Sequence, residues 1–198
     1  ECIRLVIGGP DEGRALAAHA DIDGLLFTGS ARTGIALNRA FASKPEKILA
    51  LEMGGNNPIL VWSTPDIYSA AVLVVQSAFT TAGQRCTAAR RLIVDEALFE
   101  PLVGEVNKLI GRLIIGEPHA DPAPFMGPVI DNDTADLLTE SFLELTFMGG
   151  KPLRHMERPI AGRPFVTPAM IDMTEAKEKP DVELFGPILQ VIRAKTFE

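Results

Sequence analysis

Cysteine and histidine are scarce in this 198-residue chain, with 2 and 3 copies. Cys2 and Cys86 are too few and too far apart for a disulfide framework or a thiolate cluster, which fits a reducing compartment. His19, His119 and His155 show no ligand-like spacing, so no metal site is expected. Long apolar runs are missing as well. The longest, residues 70–75, falls far short of the ~20 residues that a membrane-spanning helix needs, and no basic-then-apolar leader opens the chain. A soluble, cytoplasmic protein with no membrane partner is expected. Positive charge is in deficit, with a formal net charge of −7 and no basic stripe to neutralise duplex phosphates, which excludes nucleic acid as a partner. Repeats and low-complexity tracts are also absent.

What remains has the composition of a folding domain: 46% hydrophobic and 23% charged residues, enough to build a core. An α/β pattern runs along it. An apolar run over residues 3–7 predicts a strand closed by Gly8-Gly9-Pro10, and Asp11 can cap a helix over residues 12–19. A strand over 25–28, a helix over 33–42 and a strand over 47–51 follow. Strands alternating with helices through short loops predict a parallel sheet with helical crossovers, so residues 1–53 read as doubly wound. The turn formers Gly54-Gly55-Asn56-Asn57-Pro58 mark a domain boundary. Beyond a strand over 59–62, Ser63 or Thr64 as N-cap with Pro65 in the first turn predicts a helix to about residue 81, apolar enough to be buried nearly all round. Gly83 suits a left-handed cap. A strand over 91–94, helices over 97–113 and 134–148, and strands over 165–171 and 188–194 complete the second α/β part.

Three features could carry chemistry. A lone cysteine is most often an inert small hydrophobe, but Cys86 sits in the polar turn Gly83-Gln84-Arg85-Cys86-Thr87, with Arg85, Arg90 and Arg91 near it in sequence. Such positive charge favours the nucleophilic thiolate. Glu52 ends an apolar strand before two glycines, where parallel sheets present working side chains at their carboxyl ends; alone it could equally be a solvated acid. Gly29, Ser30, Ala31, Arg32, Thr33 and Gly34 join a strand to a helix, where backbone amides can approach a phosphate. This is not the six-residue dinucleotide fingerprint, so the pattern is weak by itself.

In combination, order and spacing, four motifs resemble the aldehyde dehydrogenase superfamily over essentially the whole chain. They are Phe27-Thr28-Gly29-Ser30 with Gly34, Leu51-Glu52-Met53-Gly54-Gly55, Gly83-Gln84-Arg85-Cys86, and Glu183-Leu184-Phe185-Gly186-Pro187. The resemblance implies the C-terminal part of a Rossmann-like cofactor domain over residues 1–53, then most of a catalytic domain over 54–198, truncated at its C-terminus. It further implies that Cys86 attacks an aldehyde, that Glu52 is the general base for deacylation, and that Gly29 to Gly34, Glu183 and Phe185 bind NAD, with NADP left open. A full-length homo-oligomer is the implied assembly.

The stretch from Lys47 to Pro58, with Gln76-Ser77-Ala78-Phe79 and Cys86-Thr87-Ala88-Ala89-Arg90-Arg91, is most similar to the branch that oxidises N-succinylglutamate 5-semialdehyde in arginine breakdown. Other acidic semialdehydes, such as glutamate semialdehyde, are the near alternative, and a non-catalytic relative that keeps the fold is the distant one. A substrate with remote carboxylates calls for a cation, for which Arg85 is the candidate. The superfamily's members are more than twice this length, so the segment alone is expected to be inactive.

Overall fold

The computed structural model describes residues 2–197, within two units, residues 1–54 and 55–198, each with its own sheet. In the first unit, α1 (Pro10–Ala18) starts with a proline, whose missing N–H costs nothing in a first turn. The Glu12 carboxylate reaches back to accept from the Gly9 amide at 2.7 Å. The N-cap is therefore Gly9 rather than Asp11, because the reciprocal bond comes from Glu12 three residues on. β1 (Gly24–Gly29), α2 (Ala31–Phe41) and β2 (Ile48–Met53) follow, and β1 and β2 pair in parallel, from Gly24 opposite Ile48 to Gly29 opposite Met53. Lys47 Nζ donates to the carbonyls of His19 and Ala20 at 2.9 and 3.1 Å, tying the end of α1 to the start of β2. Residues 3–7 are not the strand the apolar run predicts. They join neither strand of this sheet, and Ile3, Leu5 and Ile7 are at least 82% exposed. An apolar run becomes a strand only where a neighbour takes up its ladder hydrogen bonds.

The second unit contains β3 (Pro58–Val61), α3 (Ile67–Phe79), β4 (Arg91–Asp95), α4 (Glu96–Ile110), α5 (Asn132–Phe147), β5 (Lys151–Arg154), β6 (Ala169–Asp172) and β7 (Ile188–Ala194). Its sheet runs β3-β4-β7-β6-β5, parallel except for β5 at the edge. Successive side chains of a strand point to opposite faces, and the two cores follow from that. Met170, Leu189 and Val191 pack with α3 and α4, whereas Ala169, Ile171 and Ile188 pack with α5. The unit is thus a three-layer α/β/α stack, its sheet covered on both faces as parallel sheets require.

Aspartates open all three helices here: Asp66, Asp95 and Asp131 accept from the amides of Tyr68, Ala97 and Thr134 at 3.0, 2.9 and 2.7 Å. So α3 begins at Asp66, not at Ser63 or Thr64 with Pro65. The Thr64 hydroxyl accepts from the Asp66 amide at 3.2 Å and forms the turn leading into the cap. Nor is α3 buried all round: Ala71, Val74, Val75, Ala78 and Phe79 face the core, while Tyr68 and Leu73 are more than half exposed. β5 was not expected, since Lys-Pro-Leu-Arg has one strongly apolar residue and a proline, which a sheet tolerates at its edge. The strand expected over 165–171 shrinks to 169–172. Phe165 and Val166 are fully buried, but Pro164 and Pro168 lack the N–H groups that a ladder needs. Among the described residues no helix is long and apolar enough to cross a membrane.

Candidate active site

In the second unit, the chain leaves α3 through a tight turn in which Thr81, Ala82 and Gly83 have φ of 56, 55 and 66°. Left-handed backbone costs a non-glycine residue about 1–2 kcal/mol, and two such residues in a row persist only where surrounding contacts hold them. Those contacts are visible. A Cβ at Gly83 would lie 2.4 Å from the Gly186 carbonyl oxygen, so the turn presses against the Glu183-Leu184-Phe185-Gly186-Pro187 segment. Three residues beyond Gly83 comes Cys86, exposed and in no disulfide.

Two clamps fix this turn. From one side Asn57 Nδ2 donates to the carbonyls of Cys86 and Ala88 at 2.6 and 3.2 Å, while its own carbonyl accepts from the amides of Arg90 and Arg91 at 2.9 and 3.2 Å. From the other side, Arg90 is 1% exposed. Its Nη1 donates to the carbonyls of Gly83 and Gly186 at 2.5 and 3.4 Å, and its Nη2 to the Arg85 carbonyl at 3.0 Å and to Glu183 Oε1 at 3.5 Å. The guanidinium also lies over the Phe185 ring, 5.2 Å from its centroid. Burial pulls Arg90 below its ordinary value, and Glu183, with a smaller contribution from Cys86, pulls it back up.

The three arginines near Cys86 thus have different fates. Arg90 is the buried charge that interacts with the thiol. Arg91 does not lend its charge in that way: it pairs with Asp181 at 2.9 Å and donates to the Pro180 carbonyl at 3.3 Å. Arg85 is exposed and, with Thr87, Gln76, Ser77, Thr80 and Phe125, lines a recess of about 360 Å³ beside the Cys86 turn. Glu183 and Phe185, singled out by motif, meet the Cys86 turn through Arg90.

In the first unit, Glu52 lies opposite Thr28 and Met53 opposite Gly29, and the Gly54 amide donates to the Gly29 carbonyl at 3.3 Å. Glu52 and the glycine turn therefore share the carboxyl end of one parallel strand pair. Glu52 is exposed there. Ser30 caps α2, accepting from the Thr33 amide at 3.2 Å. A Cβ at Gly29 would meet the tip of the Phe27 ring, and one at Gly34 the sulfur of Met53, both ends of side chains that can move. Between α1, β1 and α2 opens a cavity of about 650 Å³, lined by Ala17, Phe27, Ala36, Leu37 and Ala40, with Arg32 and Lys44 among its charged lining residues. Its size and apolar walls suit a flat heterocycle and its cations suit phosphates, so these residues fit a dinucleotide. Among the described residues no group of three or more His, Cys, Asp or Glu side chains could hold a metal ion.

Sequence reasoning missed the Asn57 clamp, the convergence of Arg90 on two turns, and the apolar cavity. Asn57 reads as a turn former before proline, and no spacing reveals which carbonyls its amide will reach.

A family model described as the aldehyde dehydrogenase family matches residues 1–198. The chain belongs to that family. It is 68% identical over 198 residues to the N-succinylglutamate 5-semialdehyde dehydrogenase of Sphingopyxis alaskensis, covering 100% of this chain and 41% of that protein. It is 61% identical over 196 residues to the protein of the same name from Novosphingobium aromaticivorans, covering 99% and 42%. Among solved structures, a Thermus 1-pyrroline-5-carboxylate dehydrogenase with bound NAD superposes with a TM-score of 0.80 at 31% identity, over 93% of this chain and 36% of that one. This aldehyde dehydrogenase chain therefore spans about two fifths of the length of its curated relatives.

Proposed function

We propose that the protein containing this chain oxidises N-succinylglutamate 5-semialdehyde to the carboxylate with NAD, as a step of arginine breakdown, residues 1–53 serving the cofactor and 54–198 the thiol chemistry. The observation that carries the reading is an exposed thiol at Cys86 on a turn clamped from two sides beside a buried guanidinium. Cys86 Sγ adds to the aldehyde carbon, the carbonyl π pair moves to oxygen, and the tetrahedral adduct loses hydride as the oxyanion collapses to a thioester. NAD, or alternatively NADP, would supply the hydride acceptor when bound. Glu52 then takes a proton from water, whose oxygen attacks the thioester carbon; the C–S bond breaks, the acid leaves and the thiolate returns.

Ser30, Ala31, Arg32 and Thr33, between Gly29 and Gly34, are assigned to the dinucleotide phosphates, and the apolar cavity between α1 and α2 to its adenine. Glu183 is assigned to the nicotinamide ribose, and Phe185 to the nicotinamide ring. The recess lined by Arg85, Thr87, Gln76, Ser77 and Thr80 offers one cation and several hydrogen-bonding groups, a lining that suits the remote carboxylates of an acidic semialdehyde.

In the full-length enzyme, Cys86→Ala should lower kcat by ~10⁴-fold or more. Glu52→Gln should lower it ~10²–10⁴-fold while sparing the first burst of NADH, because the base acts after hydride loss. Arg85→Ala should raise KM roughly tenfold for the succinylated semialdehyde and leave an uncharged aldehyde unchanged, the loss of one charge-assisted hydrogen bond. Full activity without the thiol would sink the reading, and better kcat/KM for glutamate semialdehyde would move it to that substrate. The segment of residues 1–198 alone should form no NADH.

A further inference from the structure

Arg90 is a costly residue to bury. A guanidinium removed from water loses several kcal/mol of hydration unless charge and hydrogen bonds replace it, and Arg90 Nε is buried without a hydrogen-bond partner. Its carboxylate partner among the described residues, Glu183, is 3.5 Å away with its side chain 23% exposed, a loose pair for so buried a cation. An arginine serving stability alone would be replaceable by an apolar residue of similar volume. What this side chain has that such a replacement lacks is a planar fork long enough to donate to two segments at once.

Those segments are far apart in sequence and adjacent in space. One is the nucleophile turn, held through the Gly83 and Arg85 carbonyls. The other is the 183–187 segment, held through Glu183, the Gly186 carbonyl and the face of Phe185. Backbone bonds place the fork itself: the Arg90 amide donates to the Asn57 carbonyl and the Arg90 carbonyl accepts from the Gln190 amide on β7, each at 2.9 Å. The two turns approach closely at glycines, a Cβ at Gly83 lying 2.4 Å from the Gly186 carbonyl oxygen, which leaves no room there for a larger side chain.

We propose that Arg90 is a positioning residue that registers the Cys86 turn against the Glu183–Phe185 segment, so that one guanidinium sets both the thiol and the residues assigned to the nicotinamide end of the cofactor. The proposal rests on the assignments of Cys86, Glu183 and Phe185 made above. It accounts for a charge where a hydrophobe would pack, and it predicts that nucleophile reactivity and cofactor affinity are coupled through one residue.

The test uses full-length Arg90→Lys and Arg90→Met, with Cys86→Ser alongside. Arg90→Lys keeps the charge but has one nitrogen where the fork has two, so kcat should fall ~10- to 100-fold, the scale of a 1 Å misplacement. KM for NAD should rise several-fold, and the rate of Cys86 alkylation by iodoacetamide at a fixed pH should change with it. Arg90→Met removes the fork and the charge together, so both losses should be at least as large. Unchanged KM for NAD in both variants, or loss of activity that merely tracks a lower melting temperature, would overturn the proposal. So would the absence of folded protein from both, since Arg90 would then be a residue of folding. Activity retained in Cys86→Ser would instead sink the nucleophile reading itself, whatever Arg90 does.

Discussion

The two units hold their candidate residues by different means. In residues 1–54 the buried hydrophobic side chains are Ala17 and Phe41, while Leu26 on β1 and Ile48 on β2 are 83% and 69% exposed. In residues 55–198 two core clusters flank a five-stranded sheet, with Phe79, Leu92, Leu102, Met170 and Leu189 fully buried. The glycine turn and Glu52 of the first unit therefore stand on local devices: the Ser30 cap, the Glu12–Gly9 link and one pair of parallel strands. The Cys86 turn stands on a packed core, which lets it keep Thr81 and Ala82 left-handed and bury an arginine charge. Strain of that kind persists only where the surroundings over-determine it.

Separate expression breaks this comparison most directly. Residues 55–198 alone should unfold in urea in one cooperative transition. Residues 1–54 alone should show no cooperative transition, because a two-stranded sheet is marginal in water and so small a chain rarely gains more than about 3–5 kcal/mol from its core. Cooperative unfolding of 1–54 by circular dichroism would show that its stability does not depend on core size as argued.

A smaller effect comes from two matched glycine substitutions. Gly83→Ala puts a Cβ 2.4 Å from a backbone oxygen at a φ of +66°, and neither can move cheaply, so it should cost more than ~2 kcal/mol. Gly29→Ala puts a Cβ 2.5 Å from the tip of the Phe27 ring. A ring that can swing outward relieves that contact for about 1 kcal/mol or less. Equal losses in urea titrations would mean that the Cys86 turn is no more rigidly held than the glycine turn.

The difference between the units also separates what the sequence could reveal from what it could not. β7 is legible to the residue, 188–194, because an apolar run bounded by Gly-Pro has little choice once both faces of a sheet are covered. The parallel pairing of β1 and β2 across α2 is legible for the same local reason, alternation with short loops. Residues 3–7 mislead, since their apolar pattern matches a strand and nothing in the pattern says whether a neighbour exists. Asp66 is missed as a cap because Ser63, Thr64 and Pro65 compete for the role, and only the backbone geometry decides. Cys86 and Glu52 stand out through motif. What surrounds Cys86 does not: Arg90 meets Glu183 and Gly186 across more than 90 positions, and no local rule links residues so far apart.

The smallest effect is one of acid. Glu12 in the first unit and Asp66 and Asp131 in the second are exposed carboxylates held below their ordinary range: Glu12 by backbone amides, Asp66 chiefly by the Ser69 hydroxyl, and Asp131 by the hydroxyl and amide of Thr134. A lowered folded-state pKa means that each contributes its stabilisation in full above the ordinary carboxylate value of about 4 and loses it as pH falls through the folded value. The losses are of the same kind, but their reach should differ. In α5, Ala135 and Leu138 are buried within two turns of the cap, so neutralising Asp131 should release little beyond the first-turn amides. In α1 only Ala17, at the far end, is buried, so neutralising Glu12 should loosen the helix along its length. Protection factors from hydrogen exchange, which correct for the intrinsic effect of pH, should therefore drop throughout α1 and only near Thr134 in α5 as pH is lowered from 6 to about 3. If α1 keeps its protection as well as α5 does, the first unit is held by more than the local devices assigned to it.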